Sequence, residues 1–239
     1  MNKKKGIAVA VVLLLILLIG GMLAYFTDSD TEDNVFTLGK NINIELSESL
    51  WNTTDTTGVS GVPDAAEDIH PGTTLPKNPV ITNDEHAAQA YVFAEVIVPC
   101  YDDGYTGTGT ITVDTPLFSL DGAPTGNNTV RGWTLLRAED VDTDTRTKTY
   151  IYYYGNATDG MTILEPNTST GAVFNSITLD SSLTAEEAAT AIIPPANPGD
   201  PVVNPKVKVN AYAIQTDGYG NKTPAEIFAL YTNQNNPNP

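Results

Sequence analysis

Alternation of apolar and polar residues at every second position is the feature that most restricts the fold of this chain. Residues 41–46, Asn-Ile-Asn-Ile-Glu-Leu, alternate strictly, and residues 207–215 alternate again near the C-terminus. This period of two is typical of half-buried β-strands. Further runs rich in Val, Ile, Thr and Tyr predict strands at residues 79–82, 91–98, 110–113, 133–137, 148–154 and 173–179.

Helical periodicity is confined to two short segments. Residues 184–191 begin with the capping-box pair Thr184 and Glu187, and residues 223–231 carry Pro224 at the first helical position. Many strands, few helices and long loops predict an all-β fold, a β-sandwich of the jelly-roll type with one or two short peripheral helices.

No change of composition divides the chain after its N-terminal segment, so residues 39–231 are predicted to form one jelly-roll domain. Ile227, Phe228 and Tyr231 share one face of the second helix, which should therefore pack on the sheet as a lid. Residues 232–239 are predicted to be a disordered tail.

The N-terminus has the pattern of a secretion signal. Residues 3–5 are lysines, and residues 7–23 carry no charge. The small residue Ala24 precedes a polar stretch, which predicts a signal peptide over residues 1–24 with cleavage between Ala24 and Tyr25. The alternative is a retained membrane anchor.

The charge balance excludes nucleic acid as a partner. The chain has 12 basic and 29 acidic residues, a formal net charge of −17, and loss of the three N-terminal lysines makes it three units more negative. Such a surface is repelled by nucleic acid and by anionic lipid. Cys100 is the only cysteine, so no intrachain disulfide can form, and its place after an apolar run predicts burial.

Catalytic motifs are missing from the sequence. His70 and His86, the two histidines, lie in separate predicted turns and do not form the H-E-x-x-H pair of a zinc peptidase. There is neither a G-x-S-x-G nucleophile turn nor a glycine-rich phosphate loop. We therefore expect a protein that is not an enzyme and needs no cofactor.

One acidic run could offer oxygen ligands to calcium. Asp140, Asp142 and Asp144 stand at alternate positions between two predicted strands, where carboxylates can bind Ca²⁺. The alternative is a solvated acidic turn without a metal.

A tyrosine cluster lies in the strand predicted at residues 148–154. Tyr150, Tyr152 and Tyr154 should share one face of this strand, with Ile151 and Tyr153 on the other. Such an aromatic stripe can either bind a sugar or pack within the core of the sheet.

Several segments, taken in order, resemble the TasA/camelysin family of secreted proteins. They are Gly-Gly-Met-Leu-Ala-Tyr-Phe-Thr-Asp at 20–28, Asn-Val-Phe-Thr-Leu-Gly at 34–39, Ile-Asn-Ile-Glu-Leu at 42–46, Pro-Gly-Thr-Thr-Leu-Pro-Lys-Asn-Pro at 71–79, Ala-Tyr-Val-Phe at 90–93, Gly-Trp-Thr-Leu at 132–135, Tyr-Tyr-Tyr-Gly at 152–155 and Val-Asn-Ala-Tyr-Ala-Ile-Gln at 209–215.

The resemblance implies a jelly-roll domain and a role as a structural subunit of biofilm-matrix fibres, secreted to the extracellular matrix or the cell surface. In such fibres the mature N-terminal segment of one subunit inserts as a strand into the next, which is donor-strand complementation. For this chain the implied donor segment is residues 25–38, with Tyr25, Phe26, Thr27, Asp28, Val35 and Phe36 as its principal residues.

The implied partners are copies of the chain itself, a SipW-like signal peptidase and other matrix proteins, with membrane contact only through the uncleaved signal. The acidic residues 28–33 suit a core strand poorly, and a linker is the alternative there. Two other functions stay open: a camelysin-like cell-surface metallopeptidase and a monomeric surface adhesin.

Overall fold

The computed structural model describes residues 27–30, 42–51, 66, 69–192 and 205–235, with the backbone alone described at 27–30 and 234–235. These residues form thirteen strands and two short helices. The strands are β1 Thr27–Asp30, β2 Ile44–Ser47, β3 Thr74–Pro76, β4 Val80–Asn83, β5 Ala90–Tyr101, β6 Thr115–Pro116, β7 Phe118–Asp121, β8 Thr129–Val130, β9 Trp133–Ala138, β10 Thr147–Asn156, β11 Gly160–Met161, β12 Ser176–Leu179 and β13 Lys208–Gln215. The helices are α1 Ala185–Thr190 and α2 Pro224–Asn235.

The strands form one large sheet and two small ones. The large sheet has the order β1-β13-β5-β10-β9-β8, with β6 attached to β5 and β11 attached to β10. The small sheets have the orders β3-β12-β7 and β2-β4. All of these strand pairs are antiparallel.

The main core lies between the large sheet and the two small sheets. Val92 and Val96 of β5 are fully buried on the inner face of the large sheet. Opposite them pack Ile81 of β4, Leu75 of β3 and Ile177 of β12. Alternate residues of β5 and β13 reach this core, and for β13 the period-two pattern predicted this.

Helix α2 covers the outer face of the large sheet. Its residues Ile227, Phe228 and Tyr231 are buried against Phe93 of β5 and Ile214 of β13. The Phe93 and Phe228 rings meet edge to face with their centroids 5.0 Å apart. The prediction that this helix packs on the sheet as a lid is confirmed.

Helix α1 begins with the predicted capping box. The Thr184 hydroxyl accepts the Glu187 N–H at 3.3 Å, and Glu187 Oε2 accepts the Thr184 N–H at 2.8 Å. Glu187 Oε1 also accepts the N–H of Gly104 at 2.6 Å. These bonds lower the pKa of Glu187 below its usual range, with the backbone hydrogen bond of Thr184 as the largest cause.

The strands predicted at 91–98, 133–137 and 148–154 are confirmed as parts of β5, β9 and β10. The strand predicted at residues 110–113 is wrong: that segment is not a strand, because the Thr112 N–H is bound by Asp102 Oδ2 at 2.7 Å. The strand expected at 173–179 begins only at Ser176.

The tail predicted over residues 232–239 is wrong in its first part. Helix α2 continues to Asn235, and the Thr232 hydroxyl donates to the carbonyl oxygen of Ala229 at 3.0 Å within it. No proline or glycine interrupts the sequence from 225 to 235, so nothing in it ends the helix earlier. Residues 236–239 lie outside the described residues.

The protein is thus an all-β, jelly-roll-type sandwich with short peripheral helices, as the sequence predicted. In the part of the chain that the structure describes, neither helix has the length and apolar character needed to cross a bilayer.

Candidate functional site: the sheet edge at the N-terminal segment

The N-terminal segment forms the edge strand of the large sheet. Thr27, Asp28, Ser29 and Asp30 of β1 pair antiparallel with residues 211–214 of β13, and the register places Thr27 opposite Ile214. Strand β13 is paired over its whole length on its other side, where residues 208–215 meet residues 90–97 of β5. Among the described residues, strand β1 therefore has a paired strand on one side only.

The strand that receives β1 presents different side chains on its two faces. Ala211 and Ala213 are fully buried on the inner face, where their small side chains fit beneath the neighbouring sheet. Tyr212 and Ile214 lie on the outer face, in the cluster covered by α2. Residues 211–214 of β13 are thus apolar on both faces of the strand, as expected when both faces are covered by other parts of the protein.

A polar network stabilises β13 on its outer face. Glu95 Oε2 accepts a hydrogen bond from the Tyr212 hydroxyl at 2.5 Å and another from Asn210 Nδ2 at 2.6 Å. Burial and the bond to Glu95 raise the pKa of Tyr212, so the phenol stays protonated and remains a donor. The network joins β13 to β5, its neighbour in the sheet.

Two predicted donor-segment residues fall within this site. Thr27 and Asp28 belong to β1. The other four, Tyr25, Phe26, Val35 and Phe36, lie outside the described residues, as does Ala24 of the predicted cleavage site.

The acidic run predicted as a calcium candidate forms a hairpin turn between β9 and β10. Asp142 Oδ1 accepts the N–H groups of Asp144 at 2.9 Å and of Thr145 at 3.1 Å. The Thr145 bond is the largest cause of a lowered Asp142 pKa. Asp140 and Asp144 are exposed, and the carboxylate of Asp142 serves the turn itself.

The two histidines are placed as predicted, on exposed turns. His86 lies 3.2 Å from the neighbouring Glu85, and the His70 N–H donates to the Thr73 hydroxyl at 3.1 Å. Within the described ranges no group of three or more His, Cys, Asp or Glu side chains converges as metal ligands would.

The tyrosine cluster occupies the faces that the sequence predicted. Tyr150 and Tyr152 lie on the inner face of β10, and their rings are nearly parallel with centroids 6.5 Å apart. Tyr154 packs edge to face on Trp133 at 5.5 Å. Ile151 and Tyr153 point to the outer cluster under α2.

Cys100 is fully buried in β5, as predicted. Burial raises the pKa of its thiol to about 11. The thiol is therefore neutral and unreactive in the folded chain.

Sequence reasoning missed the partner of the N-terminal segment. The alternation over 207–215 marked β13 as a strand, yet nothing in a single sequence says which strands become neighbours. The Glu95 network was missed for the same reason, because Glu95 and Tyr212 are far apart along the chain and meet only through sheet pairing.

Comparison with known proteins found no match: no family model, curated protein or solved structure is similar to this chain.

Proposed function

We propose that this protein is a secreted structural subunit of an extracellular matrix fibre, and that its copies join head to tail through their N-terminal segments. The observation that carries the proposal is the position of β1, a four-residue edge strand that, within the described residues, pairs with β13 alone. The resemblance to the TasA/camelysin family supports the same role.

The pairing that holds β1 within one chain can also form between two chains. Because the chains are identical, β1 of one subunit can bind β13 of the next in the same register, with Asp28 opposite Ala213 and Asp30 opposite Ala211. Exchange of an identical element between protomers makes the same contacts and has a low cost in free energy. Backbone hydrogen bonds supply affinity, and the alternating side chains of β13 set the register.

Release of β1 leaves a sheet edge that favours association. Residues 211–214 of β13 then present unpaired backbone groups, and such an edge is a template for another strand. One chain thus has a donor strand and an acceptor strand at different positions. Contacts of this head-to-tail kind do not close, and they produce filaments.

Export would determine when assembly begins. While residues 1–24 remain attached, the donor segment is tethered to the membrane through the signal. Cleavage between Ala24 and Tyr25 by a SipW-like peptidase would free it, so that only secreted chains exchange strands.

A crosslinking experiment tests the exchange directly. Cα atoms of paired residues on antiparallel strands lie about 4.5–5.5 Å apart, within the range of a disulfide. Chains carrying Asp28→Cys are mixed with chains carrying Ala213→Cys, both in a Cys100→Ala background, and are assembled and oxidised. We expect a covalent heterodimer in fibres, with none in a dilute monomer fraction.

The matched control uses a pair that should never exchange. Thr74 and Thr178 face each other within the three-stranded sheet, so chains with Thr74→Cys mixed with chains with Thr178→Cys should give no heterodimer. Deletion of residues 25–33 should leave a folded monomer that forms no fibres in electron micrographs. Normal fibres from that deletion, or fibres without the 28–213 crosslink, would show that assembly does not use β1.

A further inference from the structure

A cavity of about 520 Å³ opens between the large sheet and the three-stranded sheet, away from β1. One wall is formed by Leu135 of β9 with Tyr150 and Tyr152 of β10. The facing wall includes Phe118 and Leu120 of β7. Its volume lies in the range of about 300–1,000 Å³ that is usual for ligand sites, and it combines apolar walls with a few polar groups.

The two tyrosine hydroxyls in this wall have no hydrogen-bond partner among the residues that the structure describes. Within the described residues, neither the Tyr150 nor the Tyr152 hydroxyl makes a hydrogen bond, although Tyr152 as a whole is only 2% exposed. Across all described residues, two fully buried polar side-chain atoms lack a hydrogen-bond partner: Glu48 Oε1 and Asn83 Oδ1, neither of which lines the cavity. The Tyr152 hydroxyl is not one of them, so it keeps access to the open space of the cavity. Buried tyrosine hydroxyls normally have a partner, and these two have room for one from a ligand.

Three other polar side chains of the cavity wall are already hydrogen-bonded to neighbouring residues, and the remaining two, Thr125 and Ser181, are exposed to solvent. The Thr178 hydroxyl donates to Asp121 Oδ2 at 2.5 Å, and the Ser119 hydroxyl donates to Asp121 Oδ1 at 2.9 Å. Asp180 accepts from the Tyr101 hydroxyl at 3.1 Å and from the Ser182 hydroxyl at 2.7 Å. Among the cavity side chains that are shielded from solvent, the hydroxyls without a hydrogen bond within the described residues are therefore those of Tyr150 and Tyr152, which can both donate and accept.

We propose that this cavity binds a neutral carbohydrate through one pyranose ring, with ring hydroxyls bonded to Tyr150 and Tyr152. A pyranose has hydroxyl groups at its rim and C–H groups on its faces, which matches a wall of phenols opposite Phe118 and Leu120. This proposal is independent of the one on fibre assembly, because the cavity contains no residue of β1 or β13.

Charge disfavours anionic sugars in this cavity. The chain has a net charge of −17, and the carboxylate of Asp180 lies in the cavity wall. Uronic acids and sulfated sugars would be repelled by this field.

An NMR titration of the purified secreted chain tests the proposal. The probes are methyl β-glucopyranoside, methyl β-galactopyranoside and N,N′-diacetylchitobiose, with glucuronic acid as the charged comparison, each raised to about 50 mM because so small a ligand binds at about millimolar Kd. We expect saturable shifts at the residues of the cavity for at least one neutral probe, with weaker binding of glucuronic acid.

Three conservative variants identify the contacts. Tyr150→Phe and Tyr152→Phe each remove one hydroxyl and should weaken binding by about three- to tenfold, the effect of one hydrogen bond. Tyr154→Phe is the matched control, because Tyr154 is on the same face of β10 but packs on Trp133 outside the cavity, and its Kd should stay unchanged. Leu135→Trp fills the space and should abolish binding.

The probes also separate two sources of such a sugar. Binding of diacetylchitobiose alone indicates cell-wall glycan, and binding of the glucoside or galactoside indicates a neutral matrix polysaccharide; either supports the proposal. Absence of shifts with every neutral probe overturns it. An unchanged Kd in folded Tyr150→Phe and Tyr152→Phe variants also overturns it. Shifts at the cavity that depend only on protein concentration would indicate that a strand from a second copy occupies it, and they overturn the proposal as well.

Discussion

The hydroxyl of Tyr212 donates a hydrogen bond to Glu95 Oε2 across 2.5 Å, between two neighbouring strands of the large sheet. The bond connects the outer face of β13 to β5. Along its other edge, β13 pairs with β1 of the N-terminal segment. The stability of the proposed acceptor strand therefore depends on a contact outside the pairing itself.

Tyr212→Phe should lower the free energy of unfolding by about 1–2 kcal/mol, because a hydrogen bond to a carboxylate is lost while the ring is kept. Urea denaturation measures this. Tyr219→Phe is the control: Tyr219 packs at the border of the same cluster, and within the described residues its hydroxyl makes no hydrogen bond, so the midpoint should barely move. Equal effects of the two substitutions would contradict the role given to Glu95.

Gly155→Ala should be severely destabilising. The backbone of Gly155 has φ +150°, and an added Cβ would overlap the carbonyl oxygen of Gly160 across the β10–β11 pair. Gly160→Ala is the matched control, since its φ of +83° brings strain but its Cβ meets nothing within 4 Å. We expect Gly160→Ala to cost about 1 kcal/mol, and Gly155→Ala several times more. Thermal melts compare them.

Acid should weaken the folded state partly through Glu187. Hydrogen bonds from Thr184 and Gly104 hold the pKa of Glu187 below its usual 4.5, so its contribution to stability is complete above that value. The contribution is lost as the pH falls through the lower, folded pKa. Glu187→Gln should therefore flatten the decline of the urea midpoint between about pH 5 and pH 3. An unchanged slope would mean that other carboxylates account for the acid sensitivity.

The Cys100 thiol should resist modification in the folded protein. Burial raises its pKa from 9.0 to about 11, which lowers the thiolate fraction about a hundredfold at neutral pH. Reaction with a thiol-specific disulfide reagent at about pH 8 should thus be at least about a hundredfold slower than in urea-unfolded chain. A rate similar to that of the unfolded chain would show that the strand opens readily.

Fibre growth should be faster at high salt. The full chain carries a net charge of −17, and loss of the three N-terminal lysines makes the proposed subunit three units more negative, so subunits should repel one another before they meet. The Debye length falls from about 30 Å at 0.01 M to about 8 Å at 0.15 M, which screens that repulsion. Light scattering should show a shorter lag in the higher salt, with sucrose at matched osmolality as the control. A lag that lengthens with salt would indicate assembly driven by attraction between charged groups.

The long strands and the helices could be predicted from the sequence because each has a local signal. Residues 91–98 combine β-branched and aromatic residues, and Thr184 with Glu187 marks a helix start by hydrogen bonds three residues apart. Strands of two to four residues, such as β8 and β11, are too short to show a period. Their pairing depends on neighbours distant in the chain.

Of the two strands that form the candidate site, only the N-terminal one was predicted to take part in it. The resemblance to the TasA/camelysin family implied a strand at the N-terminus that is donated to another chain, whereas β13, the strand that pairs with it here, is separated from Thr27 by most of the chain. The sequence did not predict the cavity, although the tyrosines of β10 that line it were noted as an aromatic stripe that could either bind a sugar or pack in the core. The facing wall includes residues 118–120, and this segment is too short for an alternating pattern to predict a strand.

The four-residue length of β1 sets the timescale of the proposed exchange. When β1 detaches, β5 stays paired with β13 and β10, so the centre of the large sheet is kept. Detachment is therefore a local opening and not a global unfolding. Local openings take about microseconds to seconds, whereas global unfolding of stable domains takes up to days. The step that limits strand exchange is then the collision of two opened chains, and the initial rate of dimer formation should rise with the square of protein concentration.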